Sequence, residues 1–186
     1  ATTRLLSLDL KSIPIDIIIF TGVAGAVDRK LKKWDLIIAD SFIQHDFDAR
    51  PIFDKYVIPA FNQKKISPNI ELVNKIFNGL TKELHQKNIL KFGNLYKGLV
   101  ATGDMFISNT RKLNQLSRDI SGLYAVEMEG AAFAQVACQE KVNWLVVRTI
   151  SDGANESASN EFNEFLKEYQ LVSFDLIKSL VNILSK

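Results

Sequence analysis

The sequence predicts an α/β fold, a three-layer sandwich in which helices flank a central mixed, mostly parallel sheet. Continuous apolar runs typical of buried strands alternate with segments in which apolar residues recur at helical spacing, and no repeat or linker interrupts them. A chain of 186 residues is long enough to fill one hydrophobic core. We therefore expect a single domain over residues 1–186.

The strand predictions rest on short runs of β-branched and other apolar residues. Ile15–Phe20 is typical of a strand that is buried on both faces. The small residues of Thr21–Ala26 then predict a loop, whose spacing fits neither a Walker loop nor a dinucleotide fingerprint. Close approach of a ligand and a simple tight turn are equally compatible with this loop. Further strands are predicted at residues 34–43 and 96–102, and at both ends of the stretch from Leu123 to Asn155.

The helix predictions rest on apolar residues that recur every three or four positions. Residues 1–10 resemble the end of an amphipathic helix, which the segment ending at Pro14 interrupts. Helical spacing also predicts a helix over residues 69–88, and residues 109–119 are predicted to form a short polar helix. A long terminal helix is predicted from Asn160, which would cap it, with acidic residues in its first turn.

The composition is that of a globular protein and excludes several classes of function. The net charge is only +2, and no block of Lys and Arg alternates with aromatic residues, so no nucleic acid partner is expected. No apolar run approaches the roughly 20 residues of a membrane span. The single cysteine, Cys138, excludes an internal disulfide framework, and its apolar helical setting favours a core thiol.

Two segments between the predicted strands and helices have weaker signals. His45–Asp48 contains one His and two Asp, but their spacing lacks the regularity of a metal site, which favours surface turn chemistry. Residues 49–68 hold three prolines and several aromatic residues, a composition common in lids and subunit contacts. Neither a metal nor a cofactor is expected.

Acidic residues lie just past the ends of two predicted strands in the stretch from Leu123 to Asn155. One strand leads to Glu127 and Glu129, and the other leads to Asp152. In an open α/β sheet, this rim is where ligands bind. If the backbone is still extended, Glu127 and Glu129 point to one side and Met128 to the other, and Glu129 could bind a vicinal diol. Equally, the two glutamates could simply favour the start of a helix.

Arg148 is a charged residue in an otherwise apolar strand. A buried arginine needs a carboxylate partner, and Glu127 or Glu129 on the neighbouring strand is the nearest candidate. Asp152 lies beyond the end of the same strand and is free to act as a proton donor, provided that burial raises its pKa.

These motifs resemble the nucleoside phosphorylase/hydrolase superfamily, and most closely its branch of 5′-methylthioadenosine/S-adenosylhomocysteine nucleosidases. The resemblance extends, in order, over essentially the whole chain. Its specific motifs are residues 125–132, with two glutamates around a methionine, and residues 147–152, which end in Ser-Asp; supporting matches are residues 21–25, 45–46 and 98–107.

The resemblance implies cleavage of the N-glycosidic bond between adenine and a 5′-thio-substituted ribose. Asp152 would protonate N7 of the purine, and Glu129 would bind the ribose hydroxyls. Four further residues would contact the substrate: Met128 packs against the sugar, Phe106 stacks on adenine, the Ile107 backbone binds the adenine edge, and the Gly25 backbone lies close to the substrate. The remaining residues would position these groups. Ser151 holds Asp152, and Glu127 with Arg148 orders Glu129.

The resemblance also implies a homodimer whose lid, here around Phe53–Pro59, closes over the partner's alkylthio pocket. Methionine salvage is the corresponding metabolic role. A cytoplasmic location is expected, and the single cysteine fits a reducing compartment.

Two departures from the family pattern bear on the reaction. Related phosphorylases bind phosphate with an arginine before the glycine segment and a serine within it, whereas this chain has Phe20-Thr21 and Val23 there. A phosphate dianion would lack charge-assisted partners, which favours hydrolysis over phosphorolysis.

The family's water-activating glutamate comes from a strand and helix that would precede Ala1, so we expect the sequence to be N-terminally incomplete relative to the family. A non-catalytic nucleoside-binding or adhesion module is the remaining alternative.

Overall fold

The computed structural model describes residues 1–9 and 14–185. Within these residues, five strands and five helices follow one another much as the sequence predicts, and the predicted break at residues 11–13 lies outside the described residues. In chain order the elements are α1 (Thr2–Asp9), β1 (Ile17–Ala26), β2 (Leu36–Gln44), α2 (Ile70–His85), β3 (Leu95–Thr102), α3 (Thr110–Asp119), β4 (Leu123–Glu127), α4 (Gly130–Gln139), β5 (Asn143–Asp152) and α5 (Ala158–Leu184).

The five strands form one mixed sheet that closes on itself in the order β1-β4-β3-β2-β5. The pairs β1–β5, β2–β3 and β3–β4 are parallel, and the pairs β1–β4 and β2–β5 are antiparallel. The predicted α/β fold with a mixed, mostly parallel sheet and flanking helices is therefore confirmed. Closure into a barrel is an additional finding. Register shifts after Ala24, Ala39 and Leu99 accompany it, and such bulges bend strands.

The central strands are buried on both faces, which gives the predicted layering. Leu36 and Ile38 of β2 pack in one apolar cluster with α2 and α5. Ile37 and Ala39, which alternate with them, lie in a second cluster with α4. Residues that alternate along a strand point to opposite faces, so helices cover both sides of β2.

Strand β1 differs from the prediction in its length and its burial. It continues to Ala26, so the predicted loop over residues 21–26 is wrong. Most of this segment pairs with β5, and a β-carbon on Gly22 would lie 2.6 Å from Arg148 Nη1. Gly22 therefore makes room for the Arg148 side chain within the strand. The prediction of burial on both faces is also wrong, because Ile18 is buried but Ile17 and Phe20 are only half-buried.

Three other predictions can be compared with the structure. The terminal helix begins at Ala158 with Ser157 as its N-cap, so the predicted cap at Asn160 is wrong. Asn155 Oδ1 accepts a hydrogen bond from the Ser157 N–H and lies 2.7 Å from Ser157 Oγ, which ends the preceding turn at Ser157. Cys138 is half-buried against the cluster around α4. Residues 49–68 form neither a helix nor a strand beyond two isolated bridges, and their role as a lid stays a prediction.

The helices and the metal-binding side chains of the described residues bear on two further functions, membrane insertion and metal binding. No helix among them is long and apolar enough to cross a membrane. No group of three or more His, Cys, Asp or Glu side chains in this part of the chain could hold a metal ion.

Candidate active site

A cavity of about 110 Å³ opens where β1, β4 and β5 end. The pairing of the strands explains why their ends meet, since Gly25 is in register with Asp152 on one side and with Val126 on the other. The cavity is lined by Val23, Ala24, Gly25, Met105, Phe106, Ile107, Val126, Glu127, Met128, Glu129, Ser151, Asp152 and Phe162.

Eight of the nine residues predicted for the site line this cavity. They are Gly25, Phe106, Ile107, Glu127, Met128, Glu129, Ser151 and Asp152. The ninth, Arg148, lies behind the cavity wall and reaches the site through Glu127.

Asp152 is a buried carboxyl at the cavity wall, with only 5% of its surface exposed. Ser151 Oγ donates to Oδ2 at 2.6 Å, and the Ala154 N–H donates to Oδ1 at 2.8 Å. Burial raises the pKa of Asp152, these two hydrogen bonds lower it, and the negative charge of Glu161 raises it further. The net pKa is raised, as a carboxyl that acts as a proton donor near neutral pH requires.

The Ser151 hydroxyl has two acceptors within reach and one hydrogen. It lies 3.3 Å from the Ala24 carbonyl oxygen and 2.6 Å from Asp152 Oδ2. When Asp152 is ionised, Ser151 can donate to it. When Asp152 is protonated, its own hydroxyl can donate to Ser151 Oγ while Ser151 donates to Ala24. Ser151 can therefore hold either protonation state of Asp152.

Gly25 brings the backbone of β1 against the proton donor. A β-carbon at this position would lie 3.0 Å from Asp152 Oδ1 and 2.9 Å from the Ala154 β-carbon. Any side chain would push the Asp152 turn away from the cavity, which gives Gly25 a packing role in the site.

Glu127 and Arg148 form a buried ion pair below the cavity. Arg148 Nη2 and Nε lie 2.6 Å and 3.2 Å from Glu127 Oε2, and the two side chains are 1% and 2% exposed. The Thr102 hydroxyl and the Gly130 N–H also donate to the Glu127 carboxylate. The Phe20 ring lies over the guanidinium, 4.0 Å from ring centroid to Cζ. Of the two partners predicted for Arg148, Glu127 is the main one.

Glu129 and Met128 lie beyond the end of the strand. The backbone is therefore not extended there, and the two glutamates and Met128 do not point to opposite sides as they would in a strand. Strand β4 ends at Glu127, and Glu129 is the N-cap of α4. Met128 therefore lines the same cavity as both glutamates. The Glu129 side chain is 64% exposed, with Arg148 Nη2 3.9 Å away. Partial desolvation of its carboxyl and the charge of Glu127 raise the pKa of Glu129, Arg148 lowers it, and the net pKa is raised.

The loop that bears Phe106 and Ile107 is supported by the His45-Asp46 turn. The Asp104 N–H donates to Asp46 Oδ2 at 2.8 Å. The His45 ring lies against Gly103, where a β-carbon would come within 2.4 Å of it. His45 is buried, so the predicted surface turn is correct for the backbone and wrong for this side chain. Burial lowers its pKa, which keeps the imidazole neutral.

Phe162 is a cavity residue that the sequence did not reveal. Its ring meets Phe106 edge to face, with 5.7 Å between the centroids. Helical spacing is compatible with Phe162 on the apolar face of the terminal helix, and spacing alone does not distinguish a core position from one beyond the core. Val23 and Met105 also line the cavity and had no predicted role in it.

The charges at the cavity are acidic. Glu127, Glu129 and Asp152 contribute to its described lining, which contains no Lys, Arg or His. The nearest guanidinium, that of Arg148, is already paired with Glu127. The arrangement therefore suits a neutral polar ligand better than an anion such as phosphate.

Known proteins that are similar to this chain belong to the family that the sequence motifs resemble. A family model described as "Phosphorylase superfamily" matches residues 1–182. A 5′-methylthioadenosine/S-adenosylhomocysteine nucleosidase of Haemophilus influenzae (strain 86-028NP) is 35% identical over 171 residues, which are 91% of this chain and 70% of that relative.

Solved structures are similar over the same extent. A nucleosidase of the same name from Colwellia psychrerythraea 34H, in complex with adenine, has a TM-score of 0.83 and 27% identity, covering 98% of this chain and 73% of its own. Futalosine hydrolase of Helicobacter pylori strain 26695 has a TM-score of 0.81 and 28% identity, covering 97% and 74%. The resemblance inferred from the sequence is confirmed, and the chain belongs to the phosphorylase superfamily.

Proposed function

We propose that this chain hydrolyses the N-glycosidic bond of 5′-methylthioadenosine and S-adenosylhomocysteine, releasing adenine and the 5′-thio-substituted ribose. The observation that carries this proposal is the buried carboxyl of Asp152, whose raised pKa makes it a proton donor at a cavity shared with Glu129 and Phe106. The similarity to nucleosidases over nine-tenths of the chain supports the choice of substrate.

The proposed reaction begins with protonation of the base. Asp152 donates its proton to N7 of adenine, so that the bond between N9 and C1′ breaks with its electron pair moving to a neutral leaving group. The ribosyl group left behind has oxocarbenium character, and water adds to C1′ and releases one proton to solvent, from which the Asp152 carboxylate regains its proton. Glu129 accepts hydrogen bonds from the two ribose hydroxyls, and its negative charge stabilises the positive sugar.

The other cavity residues bind and orient the substrate in this proposal. Phe106 stacks on adenine, the Ile107 backbone binds its polar edge, and Met128 packs against the sugar. Gly25 and Ser151 hold Asp152 in place. The buried pair of Glu127 and Arg148 fixes the start of α4, where Glu129 lies, because the Glu129 and Gly130 N–H groups both donate to Glu127.

Phosphorolysis by the same fold is the alternative reaction, and the charges of the cavity argue against it. Phe20 covers the Arg148 guanidinium, and Val23 lies in the cavity lining where a phosphate ligand would be needed. A non-catalytic binding module is the alternative function. It would have little need for a buried carboxyl with a raised pKa, which favours an enzyme.

Further proposals rest on the resemblance alone. We propose a homodimer in which the segment around Phe53–Pro59 closes over the partner's alkylthio pocket, and a role in methionine salvage in the cytoplasm. Light scattering of the purified protein is the measurement of its assembly state. A mass of two chains is expected.

The choice between hydrolysis and phosphorolysis predicts that the reaction does not depend on phosphate. Adenine release from 5′-methylthioadenosine should proceed at equal rates in phosphate-free and phosphate-containing buffer, with free methylthioribose as the sugar product. Chromatography of both products is the measurement, and Asp152→Asn protein is the blank for spontaneous cleavage. A rate that rises from zero with phosphate, together with a sugar 1-phosphate product, would establish a phosphorylase instead.

A further inference from the structure

Glu161 lies in the first turn of α5 and binds the turn that carries the proton donor. Its Oε2 accepts a hydrogen bond from the Gly153 N–H at 3.3 Å, one residue after Asp152. Its other oxygen lies 2.5 Å from Ser157 Oγ, the hydroxyl of the N-cap of α5, which can donate its one hydrogen either to Glu161 or to Asn155. Glu161 thereby connects the end of β5 to the start of α5. The next residue along, Phe162, lines the cavity.

Within the part of the chain that the structure describes, the negative charge of Glu161 has no cationic partner. No Lys, Arg or His in the described ranges forms an ion pair with it, although the first turn of a helix favours an acid in general. Its charge is therefore not cancelled locally and acts on Asp152, where it opposes ionisation.

The other ionisable groups around Asp152 do not take over this role. Glu127 and Glu129 line the cavity from β4 and α4, but Arg148 lies against both of them. Glu156, in the turn before α5, accepts hydrogen bonds from Thr110 N and Oγ1 and is directed to α3. Glu161 is the carboxylate that contacts the Asp152 turn itself.

We propose that Glu161 is a positioning residue for Asp152: it fixes the turn at Gly153 and places an uncompensated negative charge beside the proton donor. This inference rests on the proposed function, because it assigns Glu161 a part in the protonation of the leaving base. Asp152 remains the group that meets the substrate. Two separable effects follow, one from the hydrogen bond to Gly153 and one from the charge.

The test compares the pH profiles of kcat/KM for Glu161→Gln, Glu161→Ala and the wild type. Glutamine keeps an oxygen that accepts from Gly153 but removes the charge, so Asp152 loses its proton at lower pH. We expect the basic limb of the profile to move to lower pH, so that kcat/KM falls on the basic side and changes little on the acidic side. Alanine also removes the hydrogen bond, so we expect an additional fall in kcat at every pH.

Glu164→Gln is the matched control, because Glu164 is an exposed acid on the same helix. It should leave the profile unchanged, which shows that a general change of net charge is not responsible. A wild-type profile in both Glu161 variants would overturn the proposal. A uniform loss of rate with an unmoved basic limb in Glu161→Gln would also overturn it, because that pattern belongs to a purely structural residue.

Carboxyl carbon NMR of Asp152 separates this inference from the proposed function. The Asp152 titration should move to lower pH in Glu161→Gln whether or not the protein cleaves nucleosides. If the titration moves but the wild type releases no adenine, the proposed function fails and the coupling between the two carboxyls stands. If adenine is released and the titration is unmoved, the inference about Glu161 fails alone.

Discussion

Asp152→Asn should lower kcat for adenine release by about 10²–10⁴-fold, the range that general acid catalysis contributes. Asparagine has nearly the same shape: its oxygen can accept from the Ala154 N–H, and its NH2 group can donate to Ser151 Oγ while Ser151 donates to the Ala24 carbonyl, so the cavity should keep its form. It has no acidic proton, and adenine would have to leave as an anion. Steady-state kinetics with 5′-methylthioadenosine, together with the dissociation constant of adenine from calorimetry, measures both expectations.

Asp175→Asn is the control for this prediction, because Asp175 is an exposed acid on α5. It should have wild-type kinetics. Asp152→Asn protein that binds adenine and turns over at the wild-type rate would show that another group protonates the base. A loss of adenine binding equal to the loss of kcat would indicate a collapsed cavity instead of a missing proton.

Arg148→Met should destabilise the fold by about 3–5 kcal/mol, as expected when one partner of a buried ion pair is removed. Methionine approximates the length of the side chain but leaves the Glu127 carboxylate buried without its cation. Adding Glu127→Gln removes that charge, so the double variant should regain part of the lost stability. Urea unfolding, analysed for both the midpoint and the slope, measures the free energy of unfolding of each variant.

The exposed pair of Lys64 and Asp54 provides the comparison. Lys64→Met should change the free energy of unfolding by less than about 1 kcal/mol, because water screens that pair. If Arg148→Met has an equally small effect, the buried pair does not hold the site together. If the double variant is less stable than Arg148→Met, the unpaired charge is not the cause of the loss.

The stretch from Leu123 to Asn155 could be predicted because its local signals agree. Two apolar strands flank a helix, and the acids follow the strand ends, so the rule that ligands bind at the rim of an open sheet places Glu127 and Asp152 at one site. Arg148 was paired correctly because a charge inside an apolar strand requires a partner.

The errors arose where tertiary contacts decide the outcome. Small residues predict a loop at Thr21–Ala26, but within β1 the side chain of Arg148 leaves no room for a β-carbon at Gly22. Closure of the sheet depends on register shifts that leave no local pattern. Phe162 and Glu161 looked like ordinary residues of a helix start. Only the path of the turn after Asp152 brings Phe162 to the cavity and Glu161 to the Gly153 N–H. The single domain and the homodimer stay predictions.

The central claim is that the cavity cleaves a nucleoside and does not merely bind it. The most direct measurement is the amount of adenine formed from excess 5′-methylthioadenosine in phosphate-free buffer, per molecule of the protein. We predict that adenine accumulates beyond one equivalent in the wild type and that Asp152→Asn forms almost none in the same time. Recovery of intact 5′-methylthioadenosine from wild-type protein that demonstrably binds it would contradict the account.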